Sequence, residues 1–253
     1  MGILLTVAYD GTNYSGWQIQ PNGLTIYEVL QKALIKILNN DNFKMLGASR
    51  TDAGVHALGQ RAHIIPAFDV KIPLDRLPTA LNSLLPDDIA VTAAASTPDT
   101  FHPIKDATSK TYIYKIFNDK HRNPLATHAA YVADALDFSA MTHAASYLVG
   151  KHDFAAFCAA GSAAKSTIRE IFSLNLKLEN NTLEIYVNGN GFLYNMVRII
   201  AGTLVEVGLG KLDADAIPAI ISSKNRTKAG KTMPACGLTL LEIFYLENLA
   251  FIR

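Results

Sequence analysis

The residues best suited to chemistry in this 253-residue chain are crowded into one short polar segment. Arg50, Thr51, Asp52 and His56 fall within seven positions, between two stretches of mostly apolar residues. A carboxylate in such a segment can act as a nucleophile or as a general base, provided that it stays ionised. The same composition, with Gly54 two residues after Asp52, is also typical of an ordinary tight turn. On these residues alone, both interpretations stay open.

Three other chemistries are disfavoured by the sequence. An aspartic protease needs a second turn like Thr51-Asp52-Ala53-Gly54, and the second half of the chain contains none. His56 and His63 lack the spacing of a helical zinc site, so we expect both to be structural and no metal to be bound. The segment Gly230-Lys231-Thr232 lacks the earlier glycine of a phosphate-binding loop, because residue 225 is Asn.

Composition limits the class of protein. Apolar residues make up 49% of the chain and charged residues 18%, which is typical of a folded domain with a sizeable core. No apolar run approaches the roughly 20 residues of a membrane span, and no secretory signal is expected. The only two cysteines, Cys158 and Cys236, exclude a disulfide framework and favour a cytoplasmic setting. Because the net charge is +1, any surface for nucleic acid must be a local basic patch.

Two rounds of one element order are predicted to position these residues. Apolar residues recur every three to four positions in the helices and alternate or run together in the strands. The first round is predicted as strand 3–9, helix 26–38, strands 43–46 and 61–66, helix 74–85 and strand 89–95. The second is predicted as strand 111–117, helix 138–149, strands 171–178 and 183–187, helix 193–207 and strand 238–245. Thr25 with Glu28 indicates a capping box, and Asn180-Asn181 indicates a hairpin turn.

This order predicts an α+β fold made of two ferredoxin-like βαββαβ halves. We expect the halves, residues 1–105 and 106–253, to share a mixed, largely antiparallel sheet with a central catalytic groove. Grooves between halves are common places for ligands to bind. The first half would then carry the loop 48–57, and the second half would complete the groove.

Ordered blocks of sequence resemble the tRNA pseudouridine synthase A family over nearly the whole chain. Residues 50–57 with Gly59-Gln60 match the signature of that family, and further matches cover 9–18, 85–89, 110–114, 189–198 and 237–240. The resemblance implies an isomerase that converts uridine to pseudouridine without a metal or an organic cofactor. It also implies a cytoplasmic homodimer that acts on the anticodon arm of tRNA, at positions thirty-eight to forty.

The resemblance assigns a role to each candidate residue. Asp52 acts at the ribose, either as a nucleophile on C1′ or as a base on the 2′ hydrogen, and Arg198 keeps it ionised. Tyr112 stacks on the target base and takes the C5 proton. The implied substrate-binding residues are Arg50, Thr51, His56, Lys105, Lys110 and Tyr112; of these, Arg50 helps to hold the nucleotide out of its stack and His56 orders the loop. On the residues alone, Arg198 could instead extend to solvent and Tyr112 could be an ordinary strand aromatic.

Two basic segments are expected to contact tRNA phosphates, although such runs are also typical of a solvated face. They comprise Lys105, Lys110, Lys115, Lys120 and Arg122 in the first segment, and Lys224, Arg226, Lys228 and Lys231 in the second. The chain departs from the family pattern at residue 104, which is Ile where relatives carry Arg. That departure leaves an alternative, a catalytically silent RNA-binding paralogue of the same fold.

Overall fold

The computed structural model describes residues 1–98 and 100–246, and the chain divides into two compact units. The first unit comprises Met1–Thr108 and the stretch from Leu240 onward, and the second comprises Ser109–Thr239. The first boundary lies within a few residues of the one expected from the sequence. The last strand was expected in the second half, 106–253, but from Leu240 it belongs to the first unit. Within the described part of the chain, no helix is long and apolar enough to cross a membrane.

The first unit has the predicted order of strands and helices. It contains β1 (Gly2–Tyr9), α1 (Ile26–Leu38), β2 (Phe43–Gly47), β3 (His56–Pro66), α2 (Leu77–Asn82) and β4 (Ile89–Thr97). Strand β1 lies between β3 and β4 and is antiparallel to both, and β2 pairs antiparallel with β3. This arrangement of helices beside an antiparallel sheet confirms the expected α+β class.

Local signals determine where the two helices of the first unit begin and end. At the start of α1, the Thr25 hydroxyl accepts a hydrogen bond from the Glu28 amide, and the Glu28 carboxylate accepts one from the Thr25 amide. This is the predicted capping box. Helix α2 is shorter than the predicted 74–85, because residues 73–76 form a turn before it and the Leu84 amide after it bonds to Leu81, only three residues back. The side chain of Asn82 joins the end of this helix to Val91 of β4.

The second unit contains the predicted elements and three others. Its elements are β5 (Ala107–Asn118), β6 (Ala130–Val132), α3 (Phe138–Ser146), β7 (Gly150–Asp153), β8 (Ile168–Glu179), β9 (Thr182–Gly189), α4 (Met196–Gly208) and α5 (Ile217–Ser223); β10 (Leu238–Tyr245) then leads back to the first unit. Strands β5, β9, β8 and β7 are neighbours in that order and pair antiparallel, whereas β6 is parallel to β5. The short elements β6, β7 and α5 were not predicted.

Asparagines in the left-handed backbone region lie at the boundaries of several elements of the second unit. Asn180 and Asn181, with φ of 47° and 62°, form the predicted turn between β8 and β9. Asn195, with φ of 59°, precedes α4, so the helix begins at Met196 rather than at the predicted residue 193.

Candidate active site

The candidate catalytic loop connects β2 to β3 in the first unit. Asp52 is half-buried in this loop, Arg50 is exposed and Thr51 is buried. Strand β3 begins at His56, five residues earlier than predicted, so this histidine lies on a strand that pairs with β1. The loop between the strands is therefore short, and a short loop between paired strands restricts where the Asp52 carboxylate can lie.

The backbone on both sides of Asp52 is held by hydrogen bonds. The Trp17 amide donates to the Thr51 carbonyl at 3.1 Å, and the Val55 amide donates to the Asp52 carbonyl at 3.1 Å. Gly16, with φ of 89°, packs so closely that a Cβ there would lie 2.5 Å from the Thr51 carbonyl oxygen. Only glycine tolerates both that backbone conformation and that contact.

Aromatic side chains support the loop from the interior of the first unit. The Tyr9 hydroxyl lies 2.7 Å from the Thr51 hydroxyl, and both side chains are buried. The Tyr9 ring stacks on Trp17 with centroids 6.1 Å apart, and Trp17 meets Tyr27 edge to face at 6.3 Å. These contacts place Thr51, the residue before Asp52, against a close-packed surface.

Gln60 fastens the beginning of the loop to β3. Its amide group donates to the Ser49 carbonyl at 2.7 Å, and its side-chain oxygen accepts from the amides of Ser49 and Arg61, both at 3.1 Å. The Gln60 side chain is fully buried. A buried amide with these bonds replaces the backbone pairing that the loop lacks.

His56 connects the end of the loop to the segment after β1. Its Nδ1 accepts a hydrogen bond from the Gly11 amide at 3.1 Å and lies 2.9 Å from Oδ1 of Asp10. The His56 ring is buried. The role of His56 in ordering the loop stays a prediction.

Tyr112 lies on β5 of the second unit, where it pairs with Val187 of β9. Its ring is 6% exposed and meets Phe192 edge to face, with centroids 5.2 Å apart. The next tyrosine on the same face, Tyr114, is fully buried and donates from its hydroxyl to the Pro234 carbonyl at 2.7 Å. Burial raises the pKa of Tyr114, which therefore stays a neutral hydrogen-bond donor.

Arg198 is half-buried on α4 and bonds within the second unit. Its Nε donates to the Met233 carbonyl at 2.7 Å, and one terminal nitrogen donates to the Asn195 side chain at 2.8 Å. These two bonds fix the plane of the guanidinium group. An arginine that only extends into water has no such fixed orientation. Its pairing with Asp52 stays a prediction.

Lys110, on β5, has an unusual ionisation. Burial lowers the pKa of Lys110 to about 8, and the positive charge of Arg169 contributes to the same shift. The low value follows because both burial and a like charge disfavour the ammonium form. Lys110 therefore loses its charge in a pH range where ordinary lysines stay protonated.

Comparison with known proteins identifies the family. A family model described as tRNA pseudouridine synthase matches residues 5–104 and 144–246. The tRNA pseudouridine synthase A of Ruminiclostridium cellulolyticum is 50% identical over 96% of this chain and 99% of the relative. Those of Caldicellulosiruptor bescii and Bacillus pumilus are 49% and 47% identical, over 96% and 97% of this chain and 99% of each relative. The chain belongs to the tRNA pseudouridine synthase A family.

Family membership confirms the expected class of enzyme, an isomerase of the tRNA pseudouridine synthase kind. Among solved structures, the chain is similar to a Cbf5-Nop10-Gar1 complex at 12% identity and a TM-score of 0.39, covering 96% of this chain and 59% of that one.

The site residues predicted from the family are divided between the two units. The first unit carries Arg50, Thr51, Asp52, His56 and Lys105, and the second carries Lys110, Tyr112 and Arg198.

Several residues of the two basic segments have partners within the protein. Lys115 pairs with Glu184 at 3.0 Å, and Lys224 pairs with Asp153 at 2.8 Å. Arg226 donates to the carbonyls of residues 229 and 230 and so holds its own loop together. The second segment therefore presents fewer uncommitted cations than its sequence suggests, although Lys228 and Lys231 in this segment are exposed.

The departure from the family pattern lies in an exposed turn. The side chains of Ile104 and Lys105 both point outward, and the His102 ring accepts hydrogen bonds from their two amides at 3.2 and 3.4 Å. The turn is thus stabilised by His102 and not by the side chain at residue 104. An exchange of the expected arginine for isoleucine would therefore remove a surface charge and leave these two hydrogen bonds in place.

No role was predicted for Tyr9, Trp17 and Gln60, which hold the loop. A signal for Gln60 was present, because it alternates onto the same face of β3 as the buried residues Ala62 and Ile64. Such a residue needs hydrogen-bond partners inside the protein. Its partners were not evident, since they depend on how the loop folds back over β3.

Proposed function

We propose that this protein isomerises uridine to pseudouridine in the anticodon arm of tRNA, at positions thirty-eight to forty, with Asp52 acting at the ribose. The observation that carries the proposal is an identity near 50% over almost the full length of relatives named tRNA pseudouridine synthase A. The rigid loop around Asp52 supports it, because a reacting group must be held in place. The protein is proposed to work as a cytoplasmic homodimer, as the family resemblance implies.

In the proposed reaction, the ionised Asp52 carboxylate meets the C1′ end of an everted uridine. It either attacks C1′ or removes the 2′ hydrogen, and the bond between C1′ and N1 breaks. The base then rotates and C5 bonds to C1′. In the first route the bond between Asp52 and C1′ breaks as C5 attacks, and in the second route Asp52 returns the proton to C2′. Finally the C5 proton leaves and N1 is protonated. Product and substrate have the same atoms, so the reaction needs no oxidant, reductant or second substrate.

Charge on Asp52 is essential to both routes. A carboxylate that loses water as a nucleotide covers it favours its neutral form unless a cation lies nearby. Arg198 is proposed to supply that cation, with a guanidinium group that its bonds to Asn195 and Met233 hold in one orientation. The planar group can donate two hydrogen bonds at once to a carboxylate.

The alternative, an RNA-binding paralogue without activity, rests on Ile104. Loss of one surface cation weakens a phosphate contact, but it leaves every group proposed for catalysis in place. The chain retains Asp52, Tyr112 and Arg198. We therefore favour the enzyme.

Tritium release tests the proposal at the level of the substrate. Transcripts of one tRNA that carry uridine labelled with tritium at C5 should each release one equivalent for every uridine at positions thirty-eight to forty. The matched control is the same tRNA with cytidine at those three positions, which should release none. Equal release from both would contradict the anticodon-arm assignment, and tight binding of both without release would favour the paralogue.

The low pKa of Lys110 predicts a change of tRNA affinity with pH. Below pH 8 its charged form binds phosphate, and as pH rises through about 8 the charge is lost. Affinity should therefore fall about three- to tenfold between pH 7 and 9. In Lys110→Arg this fall should disappear, since arginine stays charged.

Filter binding at constant ionic strength measures this effect. Lys105→Arg, at an exposed position, is the matched control and should keep the pH dependence of the unmodified protein. A Lys110→Arg variant with the same fall in affinity would show that another group titrates.

A further inference from the structure

Gln60 makes an uncommon set of contacts for a glutamine on a strand. It is fully buried on β3, opposite Val7 of β1, and the shortest hydrogen bonds of its side chain, at 2.7 to 3.1 Å, join backbone groups. Both backbone groups of Ser49 are satisfied by this one amide, at 2.7 and 3.1 Å. Ser49 stands three residues before Asp52.

We propose that Gln60 is a positioning residue, whose side chain sets the location of the Asp52 carboxylate through Ser49. The proposal rests on the proposed function, since it assigns Gln60 to the support of that reaction. Gln60 itself lies beneath the loop and is not proposed to touch the substrate.

The pattern of backbone pairing explains why the loop needs such a residue. The Ala48 amide donates to the Arg61 carbonyl at 2.8 Å, which continues the pairing of β2 with β3 beyond Gly47. At Ser49, the side chain of Gln60 takes the place of the strand partner. It donates where an amide N–H would donate and accepts where a carbonyl would accept. The chain can therefore leave the sheet while its course stays defined.

The Tyr9 hydroxyl links Gln60 to Thr51, so the position of Thr51 is restricted as well. The Tyr9 hydroxyl lies 2.7 Å from the Thr51 hydroxyl and 3.5 Å from the amide nitrogen of Gln60. Ser49 and Thr51, on the approach to Asp52, are thus held by one buried polar group of three side chains. Networks of this kind stabilise a single arrangement when each member is satisfied.

The structure offers a matched control in Asn82. Its side-chain amide makes the same two-point contact with a backbone, donating to the Val91 carbonyl at 2.9 Å and accepting from the Val91 amide at 2.7 Å. This contact joins α2 to β4 and involves no residue of the loop. Loss of either amide should lower stability, but only loss of the Gln60 amide should move Asp52.

The experiment compares Gln60→Met with Asn82→Leu, two substitutions that keep side-chain size and remove the amide. Single-turnover tritium release at saturating tRNA, affinity for tRNA and Tm are measured for each. For Gln60→Met we expect a rate about 10- to 100-fold lower, because a displacement near 1 Å can cost that much, with affinity within about threefold. For Asn82→Leu we expect a lower Tm and a rate within about threefold of the unmodified protein.

Tyr9→Phe keeps the test decisive if Gln60→Met fails to fold. It preserves the ring that stacks on Trp17 and removes only the hydroxyl, so a rate about three- to tenfold lower at unchanged affinity is expected. A rate within about twofold for Tyr9→Phe, or a full rate for folded Gln60→Met, would overturn the proposal. An equal loss in Asn82→Leu would also overturn it, by assigning the effect to general destabilisation. Asp52→Asn separates the two proposals: if it keeps full activity, the proposed function fails whatever Gln60 does.

Discussion

Asp52→Asn should lower tritium release from tRNA by at least about a thousandfold, which corresponds to about 4 kcal/mol of activation free energy. Asparagine matches the size and shape of the aspartate side chain, so the short loop and its backbone bonds should persist. The neutral amide can neither attack C1′ nor remove the 2′ hydrogen, and both routes to pseudouridine stop. Affinity for tRNA should stay within about tenfold, because one partly exposed charge contributes little to an RNA interface that many phosphate contacts hold.

Asp88→Asn provides the matched control in the same unit. Its carboxylate accepts a hydrogen bond from the Tyr14 hydroxyl at 2.6 Å and is not proposed to react. Release by this variant should stay within about threefold of the unmodified protein. If Asp52→Asn kept more than a tenth of the activity, the carboxylate mechanism would be wrong, and a loss of affinity larger than the loss of rate would assign Asp52 to binding.

Deuterium at C2′ of the target uridine distinguishes the two routes that Asp52 could take. Removal of the 2′ hydrogen breaks the bond to deuterium, so that route predicts slower single-turnover release from the labelled tRNA. Attack on C1′ leaves that bond intact and predicts nearly equal rates. The outcome assigns Asp52 as a base or as a nucleophile.

The parts of the fold that could be predicted are those with local causes. Helix α1 has the predicted bounds, because its capping box and its buried face are both visible within residues 25–38. The turn at Asn180 and Asn181 follows from two residues that adopt positive φ. The strands β6 and β7 could not be predicted in this way, since each has only three or four residues, too few to show an alternating pattern, and forms by pairing with β5 and β8.

In the candidate site too, features with local causes could be predicted and features that depend on the tertiary fold could not. The loop from Arg50 to His56 was identified because its reactive residue types are adjacent in sequence. Its supports were not, because Tyr9 and Gln60 meet only when β1 and β3 pair in the observed register, with Val7 opposite Gln60. The bond from Arg198 to Met233 joins residues 35 positions apart and likewise depends on the tertiary fold.

Tyr112→Phe should lower tritium release by about a hundredfold or more while leaving tRNA affinity within about threefold. The ring would keep its edge-to-face contact with Phe192 and its proposed stack on the target base. Only the hydroxyl is lost, and with it the group proposed to take the C5 proton; general acid–base groups typically contribute factors of 10² to 10⁴. Because tritium at C5 is the isotope measured, the assay reports on the step that this hydroxyl is proposed to perform.

Two companion variants separate stacking, proton transfer and folding. Tyr112→Leu removes the ring as well. In addition to the loss of rate, its affinity for tRNA should fall about five- to hundredfold, since one base stack is worth about 1–3 kcal/mol. Tyr114 lies on the same strand as Tyr112, and its hydroxyl bonds to the Pro234 carbonyl. Tyr114→Phe removes that hydroxyl and should lower Tm while the rate of tritium release stays unchanged. Full activity in Tyr112→Phe would assign the C5 proton to another base. A loss in Tyr114→Phe as large as that in Tyr112→Phe would mean that β5 must simply stay intact.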